Sequence, residues 1–177
     1  MFCSRKVFAH ATSIYDIDVD FYRYLGIKFL LIDLDNTLDS YKLYHPTNRA
    51  FILIDKIKEA GIIPIVVSNN RGKRVKTYAD DLNVEYINSA MKPFAYKIKK
   101  FMKSKNAIND EVMLIGDQMI TDVGAANAAH IKVILTDKIV KEDQWTTKFN
   151  RLFGSMIRRR HTRKGKLKDW RILYGKS

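Results

Sequence analysis

The chain has no means of cross-linking itself. Its 177 residues include one cysteine, Cys3, so an intrachain disulfide is excluded, and nothing points to an oxidising compartment. Long apolar runs are also missing: no stretch approaches the 18 or so consecutive apolar residues of a membrane span. The opening residues, Met-Phe-Cys-Ser-Arg-Lys, are not followed by the apolar core of a secretory signal. Together these absences predict a cytoplasmic protein, at most peripheral on a membrane. Internal repeats and low-complexity tracts are absent as well, which excludes repeat architectures. Acids are scarce at one end only. From Arg151 to Ser177 there are ten Lys/Arg against a single acid, Asp169, so this segment carries +9 of the net +13. The body is close to balanced and the tail is the basic part.

Apolar residues make up 46% of the chain, enough for a proper core in one domain of ordinary size. They are ordered in a recurring way. Phe29 to Ile32, Ile62 to Val67, Val84 to Ile87, Glu111 to Ile115 and Lys132 to Leu135 read as short buried strands. Between them, residues 46–60 (opened by Pro46), the stripe Val75, Tyr78, Ala79 and Leu82, the face Phe94, Ile98, Phe101 and Met102, and residues 121–129 read as helices. A short helix ahead of the first strand, stopped at Gly26, is also expected, with Asp16, Asp18 and Asp20 near its positive end. Alternating strands and helices predict an α/β fold, a parallel sheet of about five strands covered on both faces.

The residues that carry chemistry follow the strands. The first strand ends in Asp33-Leu34-Asp35-Asn36-Thr37, the second in Ser68-Asn69-Asn70; Lys92-Pro93 comes shortly after the third, and Gly116-Asp117 with Asp122 after the fourth. Residues two apart on an extended chain point the same way, so Asp33 and Asp35 are expected to reach into one cavity. Two like charges so close need a cation between them or one proton. Mg²⁺ suits such a place, since it takes oxygen ligands and is commonly held by one or two carboxylates plus substrate phosphate. Taken singly, each element has an ordinary reading: Asp-Asn and Ser-Asn-Asn as turns, Lys92 as a solvated lysine, Thr121 or Asp122 as a helix cap. Taken together, parallel strands gather all four sets at the carboxyl edge, where ligands bind in open α/β sheets. The set offers a nucleophile, an acid/base, phosphate donors and metal ligands, a kit for phosphoryl transfer.

These four segments resemble the four motifs of the haloacid dehalogenase (HAD) superfamily of phosphatases, and the resemblance covers about residues 28–136. Within it the chain is similar to the capless subfamily IIIA, and more narrowly to the YqeG-type, phosphatidylglycerophosphatase-like group. Ser13 to Ile17 and Gly116-Asp-Gln-Met-Ile-Thr-Asp122 carry the narrower likeness. Asp39-Ser40-Tyr41 departs from that group's usual stretch after the first motif, at what is expected to be the substrate mouth. The resemblance implies a Rossmann-like HAD fold without a cap domain, and Mg²⁺ as cofactor. It implies Asp33 as nucleophile forming an aspartyl phosphate and Asp35 as general acid, then base. Thr37, Ser68, Asn69 and Lys92 would bind the phosphoryl group. Asp33, Asp35 (through its backbone carbonyl), Asp117 and Asp122 would serve the metal. The spacing agrees on access: Ser68 follows Thr37 by 31 positions, which one helix and one strand use up.

Residues 1–150 are thus expected to form a phosphatase domain with an N-terminal extension, and 151–177 a basic tail. The tail interleaves Arg/Lys with residues such as Trp170, Leu173 and Tyr174. It suits an anionic membrane surface, RNA, or loose packing on the body. The implied substrate is phosphatidylglycerophosphate at a membrane face. The alternatives are a soluble phosphate ester, or an RNA- or ribosome-associated module working through the tail.

Overall fold

The computed structural model describes residues 6–139, 158, 159, 162, 165 and 167–175. Most of the basic segment, including Leu152, Phe153, Met156, Ile157 and Arg160, lies outside the described residues.

Among the described residues six strands run parallel in one sheet: β1 (Ala9–Ala11), β2 (Phe29–Asp33), β3 (Ile63–Val67), β4 (Glu85–Ile87), β5 (Val112–Gly116) and β6 (Lys132–Thr136), in the order β1-β6-β5-β2-β3-β4. The sheet therefore has one strand more than the five expected. β1 lies in the N-terminal extension and pairs with β6, Ala9 opposite Ile134. Its three residues, Ala-His-Ala, are too short and too weakly apolar to read as a strand. They are extended because an edge of β6 is free to pair, a long-range cause invisible to local pattern.

Helices cover both faces. α1 (Val19–Tyr24), α2 (Asn48–Glu59) and α3 (Lys73–Asp81) pack on one face, around Leu30 and Ile32 of β2; α4 (Tyr96–Ser104) and α5 (Asp122–Ala129) pack on the other, around Phe29 and Leu31. The alternation of side chains along β2 puts successive residues into opposite cores, and all five of its residues are buried. The short helix expected ahead of Gly26 is α1, capped by Asp18 through Asp20 N–H, and a separate 3₁₀ turn at Ile14–Asp16 precedes it. Gly26, with φ +70°, ends it as expected. Pro46 stands just ahead of α2, whose N-cap is Thr47.

The described part of the C-terminal segment is folded onto the body. A short helix, Trp170–Tyr174, is capped by Asp169 and buries Trp170 against Phe21, with ring centroids 5.4 Å apart. Asp169 bridges to His10, and the His10 amide donates to Lys168 O at 2.8 Å. Arg158 donates to Thr136 O at 3.2 Å and ion-pairs with Asp137. Among the described residues no helix is long and apolar enough to cross a membrane.

The strand order fixes where a ligand can sit. From β2 the chain goes to β3 on one side, while β5 lies on the other. This change of direction opens a crevice beyond the carboxyl ends of β2 and β5. Between Thr37 and Ser68 there is one loop, α2 and β3; between Lys92 and Gly116, α4, a 3₁₀ turn and β5. No cap domain is inserted at either place, so the crevice is open.

Candidate active site

β2 delivers Asp33 to the crevice as its last residue. The chain then turns tightly: Asn36 takes a left-handed conformation (φ +65°), its amide donates to Asp39 O at 2.8 Å, and Asp39 N–H returns to Leu34 O at 3.1 Å. Asn tolerates this conformation better than most residues. The turn brings Thr37 back over Asp33, its hydroxyl 3.4 Å from Oδ2.

Lys92 is the centre of charge. Its side chain is 3% exposed, and the ammonium ion-pairs with Asp33 and lies 2.6 Å from Asp122 Oδ1. Burial by itself lowers the lysine's pKa, but Asp122 and Asp33 outweigh it, and the net shift is upward. The backbone is clamped to hold it there: Lys92 N–H donates to Asn69 Oδ1 at 2.8 Å, and Asn69 Nδ2 donates to Lys92 O at 3.0 Å. Asn69 thus spends its amide on placing the lysine. Asp122, fully buried at the start of α5, accepts Gln118 N–H at 3.0 Å. Gly116 is required here by close approach, because a Cβ would lie 2.3 Å from Asp122 Cγ.

Asp33, Asp117 and Asp122 form a group that could hold a metal, with one ligand oxygen from each within 4.8 Å of the others. The residues present fit a divalent cation. All donors are carboxylate oxygens, which suit a hard cation such as Mg²⁺, and the carboxylates outnumber the one buried ammonium. Asp33 registers this excess. Burial raises its pKa well above the carboxylate range, Lys92 pulls it back, and Asp122, Asp117 and Asp35 push it up again. A site short of positive charge is what a divalent cation completes.

Asp35 has partners of its own. It accepts Ser68 Oγ–H at 3.2 Å, Asn70 Nδ2–H at 2.8 Å and the guanidinium of Arg74 at 2.6 Å. The chain leaves the strand between the two aspartates, and Asp35 is still close enough to push the Asp33 carboxyl up. Ser68 in turn accepts Asn70 N–H at 3.1 Å. The structure thus brings Asp33, Thr37, Lys92, Asp117 and Asp122 together, and places Asp35 with Ser68 on the adjoining side.

Three participants escape sequence reasoning. Arg74, in the first turn of α3, holds Asp35 and also ties down the mouth loop, donating to Leu43 O at 2.6 Å and Ser40 O at 3.1 Å. In the sequence it is one basic residue among four in Arg71–Lys76. Asn70 reads only as a turn residue. Asp39, expected at the substrate mouth, is fully buried. It accepts Tyr78 OH at 2.6 Å and the Thr47 amide and hydroxyl at 3.0 Å, so it fixes the start of α2 against α3.

A parallel α/β sheet carrying an acid-rich, lysine-braced crevice at its switch point is an arrangement suited to phosphoryl transfer. Comparison with known proteins agrees. Residues 4–136 match the family described as Haloacid dehalogenase-like hydrolase. The chain is 31% identical over 140 residues to Probable phosphatase YqeG of Bacillus subtilis (strain 168), covering 79% of this chain and 81% of that one. The fold is similar to the cobalt-bound form of the deoxy-D-mannose-octulosonate 8-phosphate phosphatase YrbI of Haemophilus influenzae, at 16% identity, 75% of this chain, 88% of that one and a TM-score of 0.52. It is also similar to a hypothetical protein from Xanthomonas campestris, at 14% identity, 71% and 72% coverage and a TM-score of 0.50. The chain belongs to the haloacid dehalogenase-like hydrolases. Within that family it is a phosphatase.

Proposed function

We propose that the chain is a Mg²⁺-dependent phosphomonoester phosphatase that works through an aspartyl phosphate on Asp33. The observation that carries this reading is the buried Lys92 bridging Asp33 and Asp122, with Asp117 alongside. In the first half-reaction an Asp33 oxygen bonds to phosphorus and the ester P–O bond breaks. The departing oxygen takes a proton from Asp35. In the second, Asp35 takes a proton from water as that water attacks the phosphorus, and the Asp33–phosphate bond breaks to release inorganic phosphate. Lys92 and the hydroxyls of Thr37 and Ser68 offset charge on the phosphoryl oxygens, and Asn69 acts through the backbone of Lys92. Asp33, Asp117 and Asp122, with the Asp35 carbonyl, would hold Mg²⁺, which when bound supplies charge neutralisation and orientation.

EDTA is expected to remove phosphate release and Mg²⁺ to restore it, with Asp117→Ala raising the Mg²⁺ requirement at least tenfold or so. Undiminished turnover in EDTA would reject the metal assignment. Arg74 offers a second check. Arg74→Ala leaves Asp35 and the loop at 40–43 without their shared tie, so kcat should fall by about 10²-fold. Arg74→Lys should recover little of it, because one ammonium cannot replace a fork reaching three acceptors. Full activity in Arg74→Ala would mean that the tie does not position Asp35.

The substrate we favour is phosphatidylglycerophosphate at a membrane face. Its support is the resemblance set out above and the absence of a cap over the crevice, which leaves room for a substrate held in a surface. A phosphate-release screen comparing this lipid in mixed micelles with sugar phosphates and nucleotides tests the choice. A soluble ester hydrolysed far faster than the lipid would overturn it.

A further inference from the structure

The mouth of the crevice is bordered by apolar side chains that no core takes up. Met91, Phe94 and Tyr96 are 53%, 67% and 70% exposed, and on the loop before α2 Leu43 and Tyr44 are 37% and 62% exposed. Both segments are fixed to the site. Met91 and Phe94 flank Lys92, whose backbone is clamped by Asn69. Leu43 is held through its carbonyl by Arg74, which also holds Asp35. The turn at 89–91 is itself tied down, Ser89 N–H to Asn70 O at 3.0 Å and Ala90 N–H to Ser68 O at 2.9 Å. Met91 has φ +59°, a left-handed conformation that a bulky side chain seldom adopts. These side chains are thus presented outward by a fixed backbone.

Charge accompanies them. The segments at the mouth, residues 40–48, 69–76, 88–97 and 118–121, contain no Asp or Glu, and they expose Lys42, Arg71 and Lys73. The acids of the crevice sit inside this rim, and α3 brings two more to its margin, Asp81 at 2.7 Å from His45 and Asp80 at 2.5 Å from Lys76. Lys42, Arg71 and Lys73 leave the outer surface apolar with an excess of cations. RNA would be met by cations and by aromatic rings that stack on bases, whereas the exposed aliphatic side chains Leu43 and Met91 offer a base no ring to stack on. Apolar side chains with an excess of cations match the boundary of an anionic bilayer, where apolar groups enter the acyl region and Lys/Arg meet the headgroups.

We infer that the rim formed by Leu43, Tyr44, Met91, Phe94 and Tyr96 seats the enzyme on an anionic lipid surface, crevice inward, so that a lipid phosphate is hydrolysed without leaving the layer. The inference deepens the proposed phosphatase reading and rests on it for the reaction, while the docking stands on the rim alone. It needs nothing from residues 151–177.

The test uses the full chain and the double variant Phe94→Ser, Tyr96→Ser. Sedimentation is measured with vesicles of phosphatidylglycerol and phosphatidylcholine, and with phosphatidylcholine alone, at low and high salt. Turnover is measured on p-nitrophenyl phosphate and on phosphatidylglycerophosphate in vesicles. The parent should sediment with the anionic vesicles and less so as salt rises. The variant's partitioning should drop about tenfold or more. Its turnover of the soluble ester should stay within about twofold, both positions being on the surface, while hydrolysis of the vesicle-borne lipid falls with the binding. Should soluble turnover collapse in this variant, Leu43→Ser with Tyr44→Ser on the other loop is read by the same measures. A parent that ignores anionic vesicles, or rim variants that bind them as well as the parent, overturns the inference. So does a parent that ignores vesicles and shifts RNA in a gel. A parent that docks normally but hydrolyses neither ester leaves the docking supported and defeats the phosphatase reading.

Discussion

Asp33→Asn is expected to end turnover in a chain that still folds. Asp33 is the carboxylate that ends β2 against Lys92, and an amide in its place cannot form an acyl phosphate. Loss of a nucleophile in a concerted site costs on the order of 10⁴-fold or more in kcat. Stability should follow a different course. Asp33 is almost fully buried, and its ionised form is opposed by burial and by Asp122, Asp117 and Asp35, with Lys92 alone among the named groups favouring it. The asparagine removes a charge from a place with too many of one sign, and Lys92 keeps Asp122 at 2.6 Å. Thermal melting of the metal-free variant should therefore be unchanged or slightly higher. Phosphate release near the parent rate in a folded Asp33→Asn would remove Asp33 as nucleophile.

Lys92→Met should damage both fold and function. The substitution keeps most of the volume and deletes the one ammonium shared by Asp33 and Asp122. Stripping a buried ion pair of one partner leaves the other charge uncompensated and costs about 3–5 kcal/mol. In a domain of this size that is a fall in Tm of roughly 6–20 °C. Two controls separate charge from packing. Adding Asp122→Asn to Lys92→Met should recover part of the stability, since the stranded carboxylate is gone; the double-mutant cycle measures the coupling. Mg²⁺ should raise the Tm of Lys92→Met by more than it raises the parent's, because the cation then supplies charge that the lysine no longer does. An unchanged Tm in Lys92→Met would show that the two carboxylates are neutralised by other means.

The parts of this protein that could be read without coordinates share a cause. A strand buried on both faces of a parallel sheet must be apolar throughout, so Phe29–Ile32 and Val112–Ile115 stand out from the chain around them. Parallel strands also end at a common edge. The polar residues that follow each run, Asp33, Ser68, Lys92 and Asp117, therefore share a location once the strands are known to be parallel. Helices announced themselves through apolar spacing, as at Ala50, Leu53, Ile54 and Ile57, all buried in α2. Boundaries moved by a residue or two, which is the usual uncertainty of helix and strand ends.

What local pattern could not give is direction and partnership. β1 became a strand because β6 had an open edge, and nothing in Ala-His-Ala says so. Asp35 lies two residues from Asp33, yet a turn through Asn36 sends it to Ser68, Asn70 and Arg74. Arg74 is an ordinary helix arginine until α3 is packed beside the mouth loop. Asp39 looked like part of the mouth and is instead buried under Tyr78, 39 residues away along the chain. The short C-terminal helix shows the same division. Its basic composition was plain in the sequence, but that Trp170 would bury itself against Phe21 depended on where α1 left an apolar surface uncovered. The sequence by itself determined the class of fold, the carboxyl edge as the site, and the residue types available there, because burial and strand order act on composition and periodicity. Only the tertiary structure decided which carboxylate each cation holds and which way each side chain faces, because those depend on distances between segments far apart in the chain.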